Sequence, residues 1–216
     1  MSEINKLRES VCMFARSLHG RGLTHGSTGN ISARTPDGGL LVTPTGTSFM
    51  TLDPARLSRF DADMNLVEGD APTKEMPLHS AFYESRSTTG AIVHLHSCHS
   101  VALSMMPDAD EDDFLPRLTP YPIMQLGRVK LLPYFMPGDQ AIGDAIRGLA
   151  GKRAAVMLAN HGPVVAGKTL EAAVNAIEEL EASAQLAMMT RGLNPRGLSD
   201  YQVTTLVKTF NVAWDS

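Results

Sequence analysis

The chain has 216 residues, with 19 Lys and Arg against 23 Asp and Glu, which gives a formal net charge of −4. This balance gives no support to a nucleic-acid partner or to a polybasic membrane anchor, and no apolar run reaches transmembrane length. The two cysteines, Cys12 and Cys98, are too few for a disulfide framework. Because the first residues also lack the apolar core of a signal peptide, we expect one cytoplasmic domain over residues 1–216.

The first fifty residues predict a helix, two strands and two loops of small residues. Apolar residues at helical spacing predict an amphipathic helix over residues 3–18. Two short strands joined by a hairpin turn follow, over residues 31–34 and 40–43. The loops at residues 25–30 and 44–48 are rich in hydroxyl groups and glycine, which suit a phosphate group. Neither loop matches a P-loop or a dinucleotide-binding fingerprint, and both are also explained as ordinary turns.

A predicted helix over residues 75–86 begins with groups that can carry chemistry. Glu75 stands at its start as a candidate acid or base, and Thr73 is placed to cap it. Lys74 adds a positive charge at a helix end whose free N–H groups already attract anions. A plain helix cap without any ligand is the alternative interpretation.

Two apolar runs predict buried strands that are associated with histidines. Residues 91–96 contain His94 and His96, and side chains two apart on a strand project from the same face. Residues 154–160 form the second run, and His161 follows it. If these two strands are neighbours in the sheet, three imidazoles meet, which is typical of catalytic zinc sites with an open position. Histidines with ordinary hydrogen bonds are the alternative.

The remaining segments predict an alternation of helices and strands. Since hairpin turns occur as well, we expect an α/β fold with a mixed sheet covered by helices. The other predicted elements are helices over residues 100–106, 140–149 and 170–189, a strand over 129–134, and a solvated acidic loop over 108–113.

Taken together, the motifs of this chain resemble those of the class II aldolase/adducin family, in the same order and from about residue 4 to about residue 190. The resemblance implies a three-layer α/β/α sandwich around a mixed, mainly antiparallel sheet. It also implies a homotetramer with active sites between subunits. The stretches that carry the resemblance are Ser27-Thr28-Gly29-Asn30-Ile31-Ser32, Thr43-Pro44-Thr45-Gly46, Glu75, His94-Leu95-His96 and Asn160-His161-Gly162.

The same resemblance implies a role for each matching position. His94, His96 and His161 are expected to bind Zn²⁺, with Mn²⁺ or Co²⁺ as alternatives. Glu75 is expected to be the catalytic carboxylate, and Tyr121 of a neighbouring subunit is the candidate proton donor of an aldolase. The lysine at position 74 departs from fuculose-phosphate aldolase, which has a serine there. The expected phosphate-binding residues are Gly29, Asn30, Thr45, Gly46, Thr73 and Lys74.

Within the family, four stretches resemble the group of 3-oxo-tetronate 4-phosphate decarboxylases. The group implies metal-dependent loss of CO2 from a small phosphorylated sugar acid, which leaves an enediolate and then dihydroxyacetone phosphate. A class II sugar-phosphate aldolase passes through the same enediolate and is the alternative. A non-catalytic, adducin-like interaction module is a third hypothesis, which the complete set of histidines and Glu75 disfavours. The four stretches are residues 21–30, 69–75, 118–121 and 158–167.

Overall fold

Residues 2–214, which this computed structural model describes, form seven α-helices and eight β-strands. The helices are α1 (Glu3–Gly20), α2 (Met76–Ser85), α3 (Cys98–Ser104), α4 (Pro120–Leu126), α5 (Gln140–Gly148), α6 (Leu170–Thr190) and α7 (Asp200–Thr209). The strands are β1 (Asn30–Arg34), β2 (Leu40–Val42), β3 (Ser58–Phe60), β4 (Leu66–Glu68), β5 (Ala91–His94), β6 (Lys130–Leu132), β7 (Ala155–Leu158) and β8 (Gly162–Gly167).

All eight strands belong to one sheet, in the order β4-β3-β2-β1-β5-β8-β7-β6. Every neighbouring pair is antiparallel except β6 and β7, which are parallel. The prediction of a mixed, mainly antiparallel sheet is therefore confirmed. In this register His94 of β5 lies between Asn30 of β1 and Val164 of β8.

The two faces of the sheet bury separate apolar clusters. Because side chains alternate along a strand, Val93 packs with α1, α3, α4 and α6 on one face, while Ile92 packs with α2 and α5 on the other. The result is the predicted α/β/α sandwich.

Cys12 and Cys98 are both free, and burial raises the pKa of the Cys12 thiol to about 11. Within residues 2–214, no helix has both the length and the apolar character that a bilayer crossing requires.

Several elements differ from the sequence prediction, and each has a local cause. Strands β3 and β4 were not predicted, because each has only three residues and all of β4 is exposed. Helix α4 was not predicted either; its two prolines lie in the first turn, where a missing N–H leaves no intrahelical bond unmade. Helix α7 was not predicted, although Val203, Leu206 and Val207 recur at helical spacing; only Val203 of this helix is fully buried. The strand expected over residues 91–96 ends at His94.

A carboxylate on α6 accepts hydrogen bonds from the first backbone N–H groups of α3. Glu181 is 9% exposed, and its Oε1 accepts hydrogen bonds from the backbone N–H and from Nδ1 of His99, both at 2.9 Å. Its Oε2 accepts a hydrogen bond from the backbone N–H of Ser100, also at 2.9 Å. The first N–H groups of a helix have no partner within the helix, so Glu181 supplies one from a distant segment. This contact also holds the chain that follows His96 against α6.

Replacing Glu181 with Ala is expected to lower the free energy of unfolding by about 2–3 kcal/mol, because the N–H groups of His99 and Ser100 lose their partner. Urea denaturation followed by circular dichroism measures this change. The matched control is Glu178→Ala, because Glu178 lies on the same helix as Glu181. This substitution removes an exposed ion pair with Arg21 and is expected to cost less than about 1 kcal/mol. Equal midpoints for the two variants would contradict the capping role.

Candidate metal centre and active site

Three histidines and one glutamate meet at the end of β5. His94 is the last residue of β5, His96 follows two residues later, and His161 lies in the turn between β7 and β8. The ring centroids of His94 are 4.9 Å from those of His96 and His161, which are 4.7 Å from each other. With Glu75, their ligand atoms all lie within 4.8 Å of one another. The structure thus brings together the three imidazoles and the carboxylate that the sequence analysis singled out.

His161 reaches this cluster by a route that the sequence analysis did not anticipate. Strands β5 and β7 are not neighbours, because β8 lies between them, so the condition on which the three imidazoles were expected to meet is not fulfilled. Instead, a tight hairpin joins β7 to β8, and Asn160 in its turn has a φ of 57°. The backbone N–H of Asn160 donates to Oγ of Ser104 at 3.0 Å. After the hairpin turn, β8 runs beside β5, and this places His161, in the turn, next to the end of β5.

Gly162 allows β8 to approach the end of β5 closely. A Cβ at this position would collide with the carbonyl oxygen of Leu95 and would lie 3.2 Å from Cε1 of His94. Any larger residue must therefore push the hairpin, and His161 with it, away from β5. The next residue, Pro163, contributes its carbonyl oxygen, which accepts a hydrogen bond from Nδ1 of His94 at 2.9 Å. That bond fixes the tautomer of His94 and leaves Nε2 free to bind a cation.

The helix start places Glu75 in the cluster without using its carboxylate as a cap. Glu75 occupies the cap position of α2 but makes no side-chain hydrogen bond to the helix. Oγ1 of Thr73 accepts a hydrogen bond from the backbone N–H of Glu75 at 3.2 Å, so Thr73 stabilises the turn before α2 and does not cap the helix as predicted. The Glu75 carboxylate instead lies 3.3 Å from Nε2 of His94 through Oε2, and 3.3 Å from Nε2 of His161 through Oε1. A plain helix cap therefore does not explain Glu75.

The polar atoms of this cluster fit a divalent metal ion. Oε1 of Glu75 and Nε2 of His161 are buried and have no hydrogen-bond partner among the described residues. Nε2 of His96 faces Nε2 of His94 at 3.1 Å. Buried polar atoms without partners are costly unless a cation satisfies them. Three imidazole nitrogens and a carboxylate oxygen form a donor set suited to Zn²⁺ and to other divalent transition metals.

The protonation states favour the same interpretation. Burial lowers the pKa of His96 to about 3 and also lowers the pKa of His94, so both imidazoles are neutral, as metal ligation requires. Burial alone would raise the pKa of Glu75. The imidazoles of His94 and His161 and the amide of Asn30 outweigh it, and the pKa of Glu75 falls below its usual range. At neutral pH, His94 and His96 thus offer neutral imidazoles and Glu75 offers a carboxylate.

A cleft of about 180 Å³ opens beside the cluster. The structure brings every predicted phosphate-binding residue to its wall, next to the predicted metal ligands. Pro137, on the loop before α5, also lines the cleft and was missed, because a Pro-Gly pair in the sequence indicates only a turn. The lining residues are Ser27, Thr28, Gly29, Asn30, Pro44, Thr45, Gly46, Thr73, Lys74, Glu75, His96, Pro137 and His161.

The predicted catalytic Tyr121 lies elsewhere. It is on α4 with 58% of its surface exposed, and it does not line the cleft of its own chain. The resemblance assigned this role to a tyrosine of a neighbouring subunit, so the role of Tyr121 stays a prediction.

The fold and the site together define a class II aldolase-like protein. Residues 9–188 match the class II aldolase and adducin N-terminal domain, and the chain belongs to that family. It is 46% identical to 3-oxo-tetronate 4-phosphate decarboxylase of Escherichia coli strain K12 over 83% of this chain and 85% of the relative. It is 29% identical to L-fuculose phosphate aldolase of the same strain, over 96% and 95% of the two chains. The crystal structure of YgbL from Escherichia coli superposes with a TM-score of 0.92 at 40% identity, over 95% of this chain and 99% of that one.

Replacing Gly162 with Ala is expected to lower the bound metal by about tenfold or more, because the new Cβ displaces the hairpin that carries His161. Elemental analysis of the purified protein measures the metal, and circular dichroism verifies that the variant is folded. Gly148→Ala is the matched control, since a Cβ at Gly148 meets no atom within 4 Å. Full metal content in Gly162→Ala would contradict the proposed importance of this close approach.

Proposed function

We propose that this chain is a metal-dependent carbon–carbon lyase that converts 3-oxo-tetronate 4-phosphate to dihydroxyacetone phosphate and CO2. One observation carries the proposal: Glu75, His94, His96 and His161 converge beside a cleft whose loops suit a phosphate group. The 46% identity to a decarboxylase of that name supports the choice of substrate. We further propose a single domain, a cytoplasmic location and a homotetramer with active sites between subunits, as the family resemblance implies.

The three histidines are the proposed metal ligands, with Glu75 close enough to join them in the free protein. Zn²⁺ is the proposed ion, and Mn²⁺ or Co²⁺ are alternatives that the same donors accept. When bound, the ion supplies positive charge that lowers the energy of a developing enediolate. Deep burial of His94 and the bond from its Nδ1 to Pro163 hold this part of the site rigid.

Glu75 is the proposed proton carrier. In the reaction, the C1–C2 bond breaks, its electron pair stays on the remaining fragment as an enediolate, and C2 then takes up one proton. Oε2 of Glu75 accepts a hydrogen bond from Nδ2 of Asn30 at 2.7 Å, while Oε1 has no hydrogen-bond partner among the described residues. Oε1 is therefore the oxygen free to take a proton from solvent during the turnover and pass it to C2, after which Glu75 is again a carboxylate, its state at neutral pH.

The two small-residue loops and the start of α2 are the proposed phosphate site. Gly29 and Gly46 have positive φ values of 85° and 70°, a backbone conformation that glycine adopts easily. Together with Thr45 they line the cleft. Lys74 is exposed at the cleft and adds positive charge. Since the whole chain has a net charge of −4, attraction of an anionic substrate must be local.

Asn30 also lines this cleft, although its side chain is committed elsewhere. Nδ2 is bonded to Glu75, and Oδ1 lies 2.6 Å from Nε2 of His79. We therefore assign Asn30 mainly to holding Glu75, and the phosphate to Gly29, Thr45, Gly46, Thr73 and Lys74.

A class II sugar-phosphate aldolase is the second candidate, because a retro-aldol cleavage passes through the same enediolate and needs the same residues. It is supported by the 29% identity to a fuculose phosphate aldolase over nearly the whole chain. Such an aldolase also needs a proton donor for the departing aldehyde, for which Tyr121 of a neighbouring subunit is the candidate. An adducin-like interaction module is less favoured, since it has no need of a buried three-histidine cluster.

Incubation of the Zn²⁺-loaded protein with 3-oxo-tetronate 4-phosphate, in both configurations at C2, tests the function. We expect CO2 and dihydroxyacetone phosphate in equal amounts, measured by trapped CO2 and by a coupled dehydrogenase assay. L-Fuculose 1-phosphate is the matched aldolase substrate and is expected to be cleaved far more slowly. Rapid aldehyde release without CO2 would favour the aldolase, and inactivity on both substrates would favour the interaction module.

A further inference from the structure

Behind Glu75, a line of hydrogen-bonded side chains runs between α2 and β1, away from the cleft. Nδ2 of Asn30 bonds to Glu75 at 2.7 Å, and Oδ1 of Asn30 bonds to Nε2 of His79 at 2.6 Å. Nδ1 of His79 bonds to Oγ of Ser32 at 2.7 Å, and Ser32 bonds to the hydroxyl of Tyr83 at 3.0 Å. His79 and Ser32 have no exposed surface, and Asn30 and Tyr83 are 5% and 8% exposed.

The residue spacing on α2 and on β1 explains why these hydrogen-bonded side chains meet. Glu75, His79 and Tyr83 are four residues apart, so they share one face of α2. Asn30 and Ser32 are two residues apart on β1, so they share the face that meets α2. The polar groups therefore interlock in a region otherwise filled by apolar side chains. Such a buried network is stable only when every member has a partner.

Each hydrogen bond in this line has a defined direction. The carboxylate of Glu75 can only accept, so the Asn30 amide presents its NH₂ group to it. Oδ1 of Asn30 must then accept, so the hydrogen of His79 is on Nε2. Burial lowers the pKa of His79 to about 3, so its ring is neutral and Nδ1 accepts from Ser32. Ser32 in turn accepts from the Tyr83 hydroxyl.

We propose that His79 and Ser32 are positioning residues that hold the Asn30 amide in the one orientation that fixes the Glu75 carboxylate. Without the donor of His79, the Asn30 amide can rotate and turn its oxygen towards Glu75, which repels the carboxylate. Oε2 then loses its bond, and Oε1 no longer stays aimed at the cleft. This inference rests on the proposed function of Glu75 as the proton carrier.

The test compares kcat, KM and bound metal for CO2 release by Zn²⁺-loaded His79→Phe and Ser32→Ala. Phe fills the space of His79 without a donor. Ser32→Ala removes the bond that fixes the His79 tautomer, together with the bond from the Tyr83 hydroxyl. We expect His79→Phe to lower kcat by about 10- to 100-fold, with KM and metal content almost unchanged, because small displacements of a catalytic group cost about this much. The effect of Ser32→Ala is expected to be smaller and in the same direction.

Two further variants separate positioning from a purely structural role. His79→Gln restores a donor for Asn30 and an acceptor for Ser32, so most of the lost kcat is expected to return. Ser183→Ala removes another buried serine, which is bonded to Glu179 on α6, and is expected to leave kcat unchanged. If His79→Phe does not fold, Ser32→Ala and His79→Gln still carry the test. The positioning role would be overturned if kcat were unchanged in both Ser32→Ala and His79→Phe. If His79→Phe does not fold, an unchanged kcat in Ser32→Ala alone would overturn it.

The same variants in a Glu75→Gln background distinguish this inference from the proposed function. Glu75→Gln alone is expected to lower kcat by about 100-fold or more, as for loss of a general acid or base. Adding Ser32→Ala or His79→Phe is expected to cause no further loss, because their effect acts through Glu75. An equal further loss in both backgrounds would overturn the positioning role only. Full activity of Glu75→Gln itself would contradict the proposed function.

Discussion

The close approach of two antiparallel strands at Gly162 is the constraint on which the site depends. Strand β8 lies against the end of β5 so tightly that the backbone at Leu95 leaves no space for a side chain. This contact places His161 beside His94 and lets the Pro163 carbonyl orient the His94 ring. The packing of the sheet thus brings three imidazoles together, and this set of nitrogens suits a divalent cation.

The fourth member of the cluster comes from the other layer of the sandwich. Helix α2 packs on the opposite face from α6, and its start directs Glu75 over the end of β5. The sheet thus provides the imidazoles and the start of α2 provides the carboxylate, while α2 and β1 together provide the hydrogen-bond network behind it. The proposed metal ligands and the proposed proton carrier therefore come from separate parts of the fold: the end of β5 with the β7–β8 turn, and the start of α2.

Much of this site could be predicted from the sequence, because its residues follow simple periods. The His94 and His96 spacing on a strand, the position of Glu75 at a helix start and the glycine-rich loops all predicted groups that the structure brings together. His161 was predicted for an incorrect reason, since strand order is a long-range property that local apolar runs do not specify. The network through His79 and Ser32 was only partly predictable: His79 lies one helical turn after Glu75, but the bonds of His79 to Asn30 and Ser32 join α2 to a strand that is distant in sequence. Its signal was present in the spacing of Glu75, His79 and Tyr83.

His94, His96, His161 and Glu75 are the proposed metal centre. Anomalous X-ray diffraction from crystals of the active protein, recorded above and below the metal absorption edge, tests this proposal. We expect one peak per chain, about 2.0–2.1 Å from a ring nitrogen of each histidine if the ion is zinc. No peak at this position, in crystals of protein that still releases CO2, would contradict it.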